Sequence, residues 1–135
     1  MKLSHSPPKL QWVIKLFFPG YNFEKVVGFA FGDTIYSKEP LEDHNLIHEE
    51  THLRQMGYSK WKGIIHFIRF AFSRKFRYNT EVEAYREEYL FLKRKYPQAA
   101  ERAAVRFAEL LAGKNSYIFG KVAEYDEALY RILNG

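Results

Sequence analysis

Between Leu41 and Gly57 the sequence reads LEDHNLIHEETHLRQMG, and its apolar residues Leu46, Leu53 and Met56 recur at helical spacing. The helix this predicts opens at Pro40 or the residue after it, has Glu42 and Asp43 favourably placed in its first turn, and runs to about Met56 before Gly57 stops it. Within it, His48-Glu49-Glu50-Thr51-His52 matches H-E-x-x-H. Residues four apart lie one turn above each other on the same face, so both imidazoles can converge on a single tetrahedral Zn²⁺ at about 2.0 to 2.1 Å. Glu49 stands one residue round from His48, where its carboxylate can lean over the open fourth position and take a proton from a water aimed at a carbonyl. The competing reading of the same five residues is two solvated or core histidines on an ordinary helix, and a third ligand decides between them. His44 lies one turn before His48, but successive four-residue steps drift by about 40° on a 3.6-residue helix. It reads as a structural or supporting residue.

The 135 residues suit a single domain, 1–135, long enough to bury a core without staples. With 12 Phe, 10 Tyr and 2 Trp, much of that core is expected to be aromatic. The absence of cysteine excludes disulfides, thiolate metal sites and a cysteine nucleophile, which leaves histidine and carboxylate as the strong metal ligands. Met1 to Pro8 lacks an apolar signal-peptide core, and no run approaches the roughly 18 apolar residues of a membrane span. The expected compartment is the cytoplasm.

The net charge of +5 is unevenly spread. No acidic residue falls between Thr51 and Thr80, a stretch that contains Arg54, Lys60, Lys62, Arg69, Arg74, Lys75 and Arg77. Trp61, Phe67, Phe70, Phe72, Phe76 and Tyr78 are interleaved with these cations, so the stretch can be read as a patch for nucleic acid or a membrane surface. The preferred reading is a core helix with a solvated basic face, because the aromatics fall at core spacing.

The chain before and after the histidine helix reads as α+β, mainly α, with a small N-terminal antiparallel sheet. Residues 9–18 alternate loosely and predict a strand ended by Pro19-Gly20. Val26 to Phe31 and Thr34 to Ser37 are β-prone runs on either side of Gly32-Asp33, a pair that suits a tight hairpin; one strand running through Gly32 is the alternative. Trp61, Ile65, Ile68 and Phe72, widened by Ile64, Phe67 and Ala71, predict a largely buried helix that contains His66. A further helix, capped by Asn79 or Thr80, carries Val82, Tyr85, Tyr89, Leu92 and Tyr96 on its core stripe. Pro97 starts another, burying Ala100, Ala104, Phe107 and Leu111 and ending at Gly113, and a last amphipathic helix carries Val122, Tyr125, Leu129 and Ile132.

The segment Glu81-Val82-Glu83-Ala84 opens the question of the third ligand. Together with the upstream H-E-x-x-H it makes the chain resemble the gluzincin group of zinc metallopeptidases, in which the first Glu of an E-x-x-A or E-x-x-x-D motif on a later helix completes the site. It also resembles small H-E-x-x-H proteins of bacteria and phages. The resemblance covers about residues 35–88 and implies a zincin-like helical bundle in which His48, His52 and Glu81 hold one Zn²⁺ per chain and Glu49 is the catalytic base. Ala84 matches the small residue of the motif, while Tyr85 stands where an E-x-x-x-D form would have Asp. Glu83 competes for the ligand role but points about 200° away from Glu81 on the helix.

The activity implied is hydrolysis of a peptide or protein substrate. The resemblance further implies that an extended substrate pairs with an edge strand ahead of the active helix, within Asp33 to Ser37, so Asp33, Thr34, Ile35 and Tyr36 are the substrate-binding candidates. Tyr117 and His66 are the candidates for stabilising an oxyanion. The alternative function is a non-catalytic metal-binding or interaction protein whose basic aromatic stretch, 54–78, contacts nucleic acid, a membrane surface or a larger assembly.

Overall fold

The computed structural model describes residues 1–5, 27–113 and 121–135; the strand expected at 9–18 and the oxyanion candidate Tyr117 lie outside them. Three short strands, β1 (Lys2–Ser4), β2 (Phe29–Phe31) and β3 (Thr34–Tyr36), precede five helices in the described residues. The helices are α1 (Asp43–Gln55), α2 (Lys60–Phe72), α3 (Arg74–Lys95), α4 (Pro97–Ala112) and α5 (Tyr125–Asn134). The expected α+β, mainly helical class holds.

β2 and β3 form the hairpin expected around Gly32-Asp33, with Phe31 opposite Thr34 and Ala30 opposite Ile35. Gly32 takes a positive φ of 66°, which a two-residue hairpin with glycine in its first central position requires. The sheet itself is mixed and not antiparallel throughout, because β1 pairs in parallel with β3, Leu3 lying opposite Ile35. The strand order is β1-β3-β2, which puts β3 in the middle. Lys2 N–H donates to the Asp33 carbonyl at 2.9 Å, and the Lys2 ammonium lies 2.9 Å from the Asp33 carboxylate.

The chain divides into two compact units, Met1–Ile64 and Ile65–Gly135. In the first, Leu46, Leu53 and Met56 of α1 pack with Ala30 and Ile35 of the hairpin and with Leu41. Helix α1 starts at Asp43, later than Pro40, and closes as expected at Gly57, whose φ is 60°. Tyr58 also takes a positive φ, 54°, and its N–H donates back to the Leu53 carbonyl at 3.0 Å. Gly63 of α2 packs closely here: a Cβ on it would lie 3.2 Å from Gly32 N and 3.3 Å from a Phe31 ring carbon.

In the second unit, α3, α4 and α5 share a core of Tyr78, Val82, Tyr89, Leu92, Ala100, Ala104, Phe107, Ala108, Leu111, Ala128 and Ile132. Pro97 opens α4 in the first turn, where its missing N–H costs nothing. Helix α3 begins six residues earlier than an Asn79 cap predicts and seven earlier than a Thr80 cap. Ser73 supplies the cap, its Oγ accepting from Phe76 N–H at 3.1 Å. Arg77 donates through Nη1 to the carbonyls of Phe70 and Ala71 at 2.8 and 2.9 Å, satisfying acceptors left open at the end of α2.

One expectation fails plainly. Helix α2 is not largely buried: of its residues only Gly63 is, while Trp61 is 69%, Ile68 52% and Phe72 85% exposed. The periodicity was correct about which residues share a face. It did not say that the face is covered.

Candidate metal centre

Two of the motif's residues are fixed by α1 alone. His48 and His52 lie one turn apart, and their Nε2 atoms approach to 3.2 Å with ring centroids 4.9 Å apart and planes at 78°. A tetrahedral ion with metal–nitrogen distances of about 2.0 to 2.1 Å requires an N···N separation of about 3.3 Å. The pair already stands at that spacing. Its alternative is one N–H···N hydrogen bond, which a metal replaces with two lone pairs directed at the ion.

His52 has a neighbour the sequence reading missed. Its Nδ1 lies 2.9 Å from Gln55 Oε1, an oxygen that only accepts, so this contact is a hydrogen bond in the tautomer with the ring proton on Nδ1, the one that turns the Nε2 lone pair toward His48. The signal was present, since an acceptor three residues after the second histidine is within reach on the same helix.

Among the described residues, His48, His52 and Glu81 each offer a ligand atom, and those atoms all lie within 4.8 Å of one another. His48 is 9% and Glu81 7% exposed, so the imidazole and the carboxylate have both been withdrawn from water. Two imidazoles and a carboxylate brought together in this way are a donor set of the kind that metal sites use. This set could hold a metal ion.

The other candidates have neighbours of their own. His44 points its Nε2 at Glu42 Oε2, 2.7 Å away, in keeping with a structural role. Glu83 is exposed, as its position on the helix predicts. His66 packs against rings, edge-on to Phe76 at 5.0 Å and stacked over Phe70 at 6.5 Å. Tyr85, at the position where an Asp could have supported a ligand, stacks on Phe107 at 4.7 Å and belongs to the second unit's core.

The substrate-strand expectation needs correction. Asp33 is a turn residue paired with Lys2, which holds its carboxyl well below the ordinary value, at about 2. Thr34, Ile35 and Tyr36 form the central strand, hydrogen-bonded to β1 on one side and β2 on the other. No edge of β3 is open to an incoming peptide. The expectation failed because β1 reaches β3 from about thirty residues away in sequence, and nothing local to residues 33–37 announces it.

Glu49 lies against the start of the hairpin. A Cβ built on Gly28 would stand 3.0 Å from Glu49 Cγ and 3.2 Å from its Oε1, so the missing side chain at position 28 makes room for this carboxylate. Helix α3 also buries two charged residues that sequence reasoning left without a role. Arg77 precedes Glu81 by one turn, Glu88 follows it by two, and they are 8% and 2% exposed. Burial, with the nearby Arg74 adding repulsion, pushes the Arg77 guanidinium below its usual pKa.

Comparison with known protein families, curated proteins and solved structures finds no match to this chain.

Proposed function

We propose that this protein is a zinc-dependent peptidase in which His48, His52 and Glu81 hold the ion and Glu49 handles the proton. The observation that carries this reading is the convergence of those three ligand atoms within 4.8 Å, with the two imidazole nitrogens 3.2 Å apart. Support also comes from the place of Glu49 in the motif, adjacent to a metal-binding histidine but outside the ligand set.

When bound, zinc supplies Lewis acidity, lowering the pKa of water and polarising a carbonyl oxygen. Glu49 accepts a proton from the water as its oxygen bonds to the scissile carbonyl carbon. It then gives that proton to the departing amide nitrogen as the C–N bond breaks. The Gln55 contact keeps His52 in the tautomer that presents Nε2.

The test is a pool of unstructured peptides incubated with the zinc-supplied protein and read by mass spectrometry, alongside metal analysis. The parent is expected to cleave and to hold about one zinc per chain. Glu49→Gln is expected to keep the zinc while cleavage falls by about 10² to 10⁴, and Glu81→Ala to lose both. A parent that binds zinc yet cleaves nothing, or a Glu49→Gln variant as active as the parent, would overturn the peptidase reading.

A further inference from the structure

Helix α2 combines three features that do not belong to an ordinary solvated helix. On a 3.6-residue helix, Trp61, Ile64, Ile65, Ile68 and Phe72 fall within an arc of about 100°. All five are exposed, at 69%, 37%, 45%, 52% and 85%. The opposite side carries Gly63, which packs on the hairpin and Met56, so the exposed arc is not the face that anchors the helix. Second, cations flank the arc on both sides. Lys60 lies about 40° beyond one edge, and Arg69 and Lys62 about 40° to 60° beyond the other. All three are exposed, with Arg69 lying over the Phe76 ring at 4.2 Å. Third, no acidic residue occurs from Thr51 to Thr80, and the exposed Arg74 and Lys75 extend the positive charge past the helix end.

We infer that this face of α2 docks on the surface of an anionic lipid bilayer. The helix is 13 residues, about 20 Å long, and no helix of the described residues is long and apolar enough to cross a membrane. It therefore lies in the interface plane, with Ile and Phe side chains among the acyl chains and Trp61 at the headgroup level. Lys60, Lys62 and Arg69 place their positive charge on the flanks of the apolar strip, where lipid phosphates lie.

Charge complementarity selects this occupant over others. A second copy packing its own α2 on this face would set cations against cations with no acid in the stretch to offset them. Nucleic acid would face a strip of three isoleucines that neither stack on bases nor neutralise phosphates. The inference is independent of the metal site.

The experiment is co-sedimentation of the full chain with vesicles of phosphatidylcholine alone and of phosphatidylcholine mixed in equal parts with phosphatidylglycerol, at low and high salt. The expected result is binding to the anionic vesicles only, weakened by salt, with a blue shift of tryptophan emission that disappears in Trp61→Phe. Lys62→Gln with Arg69→Gln is expected to weaken binding by about fivefold per charge removed. Ile65→Glu with Phe72→Glu is expected to weaken it at least about tenfold while circular dichroism stays that of the parent. No binding to anionic vesicles at low salt overturns the inference, as does a charge-removed variant that binds like the parent. A dimer in sedimentation velocity that Ile65→Glu with Phe72→Glu dissociates, without vesicle binding, would replace the bilayer with a second copy. Salt-sensitive binding to a DNA duplex in place of vesicles would replace it with nucleic acid.

Discussion

At the scale of single residues, the candidate site depends on atoms outside the motif as much as on the motif itself. Gln55 Oε1 lies 2.9 Å from His52 Nδ1, and Gln55→Leu removes that acceptor without touching a proposed ligand. Zinc affinity measured by competition with a chromophoric chelator is expected to fall by about 10- to 100-fold, the usual consequence of losing such a partner. Unchanged affinity would mean that the contact orients nothing. Gly28 bears on Glu49. A Cβ there would crowd Glu49 Cγ at 3.0 Å, tighter than neighbouring atoms tolerate without moving. Gly28→Ala is expected to leave zinc content intact and to lower kcat of the proposed hydrolysis by about tenfold to a hundredfold with little change in KM, because displacing a reacting group by a fraction of an ångström is costly. A variant whose KM alone rises would place Glu49 in substrate binding instead.

At the scale of elements, β1 shows how a short strand is held. Its backbone pairs in parallel with β3, and the Lys2–Asp33 ion pair fastens its start. Asp33 has its carboxyl lowered from 3.8 to about 2, first by the hydrogen bond from Lys2 and then by that from Thr34. A depressed carboxyl contributes stability that is complete above the unfolded value and is lost as pH falls through the folded one. Protection of the β1 amides against hydrogen exchange is therefore expected to hold down to about pH 4 and to weaken between there and about pH 2. Asp33→Asn should abolish that acid step, and an identical profile in the variant would assign the step to another group. The effect is modest because the pair is open to solvent and screened by salt.

At the scale of the whole molecule, an ion held by His48 and His52 from α1 and by Glu81 from α3 would tie together segments with 28 residues between them. A ligand that binds only the native state stabilises it by about 4 kcal/mol when present at a thousand times its Kd. For a chain of this length that corresponds to a shift on the order of 10 °C. Thermal melts of the zinc-supplied protein with and without chelator are expected to differ by that amount, and Glu81→Ala should reproduce most of the loss with zinc present. Coincident melts would remove Glu81 from the ligand set.

What could be read from the sequence was local. The hairpin at Gly32-Asp33, the start of α4 at Pro97, the stop at Gly57 and the shared face of His48 and His52 each depend on residues within a few positions of one another, where turn chemistry and helix geometry act without help. The pairing of Glu81 with those histidines came from a resemblance and not from spacing. The tertiary structure alone decided that β3 is central, because the strand covering its second side comes from Lys2–Ser4. It alone decided that Trp61, Ile65, Ile68 and Phe72 face outward, since periodicity places apolar side chains on one face of a helix but contains nothing about what packs there. The burial of Arg77 and Glu88 was equally illegible. A charged side chain leaves water only when distant parts of the chain enclose it, and no pattern within its own helix records that.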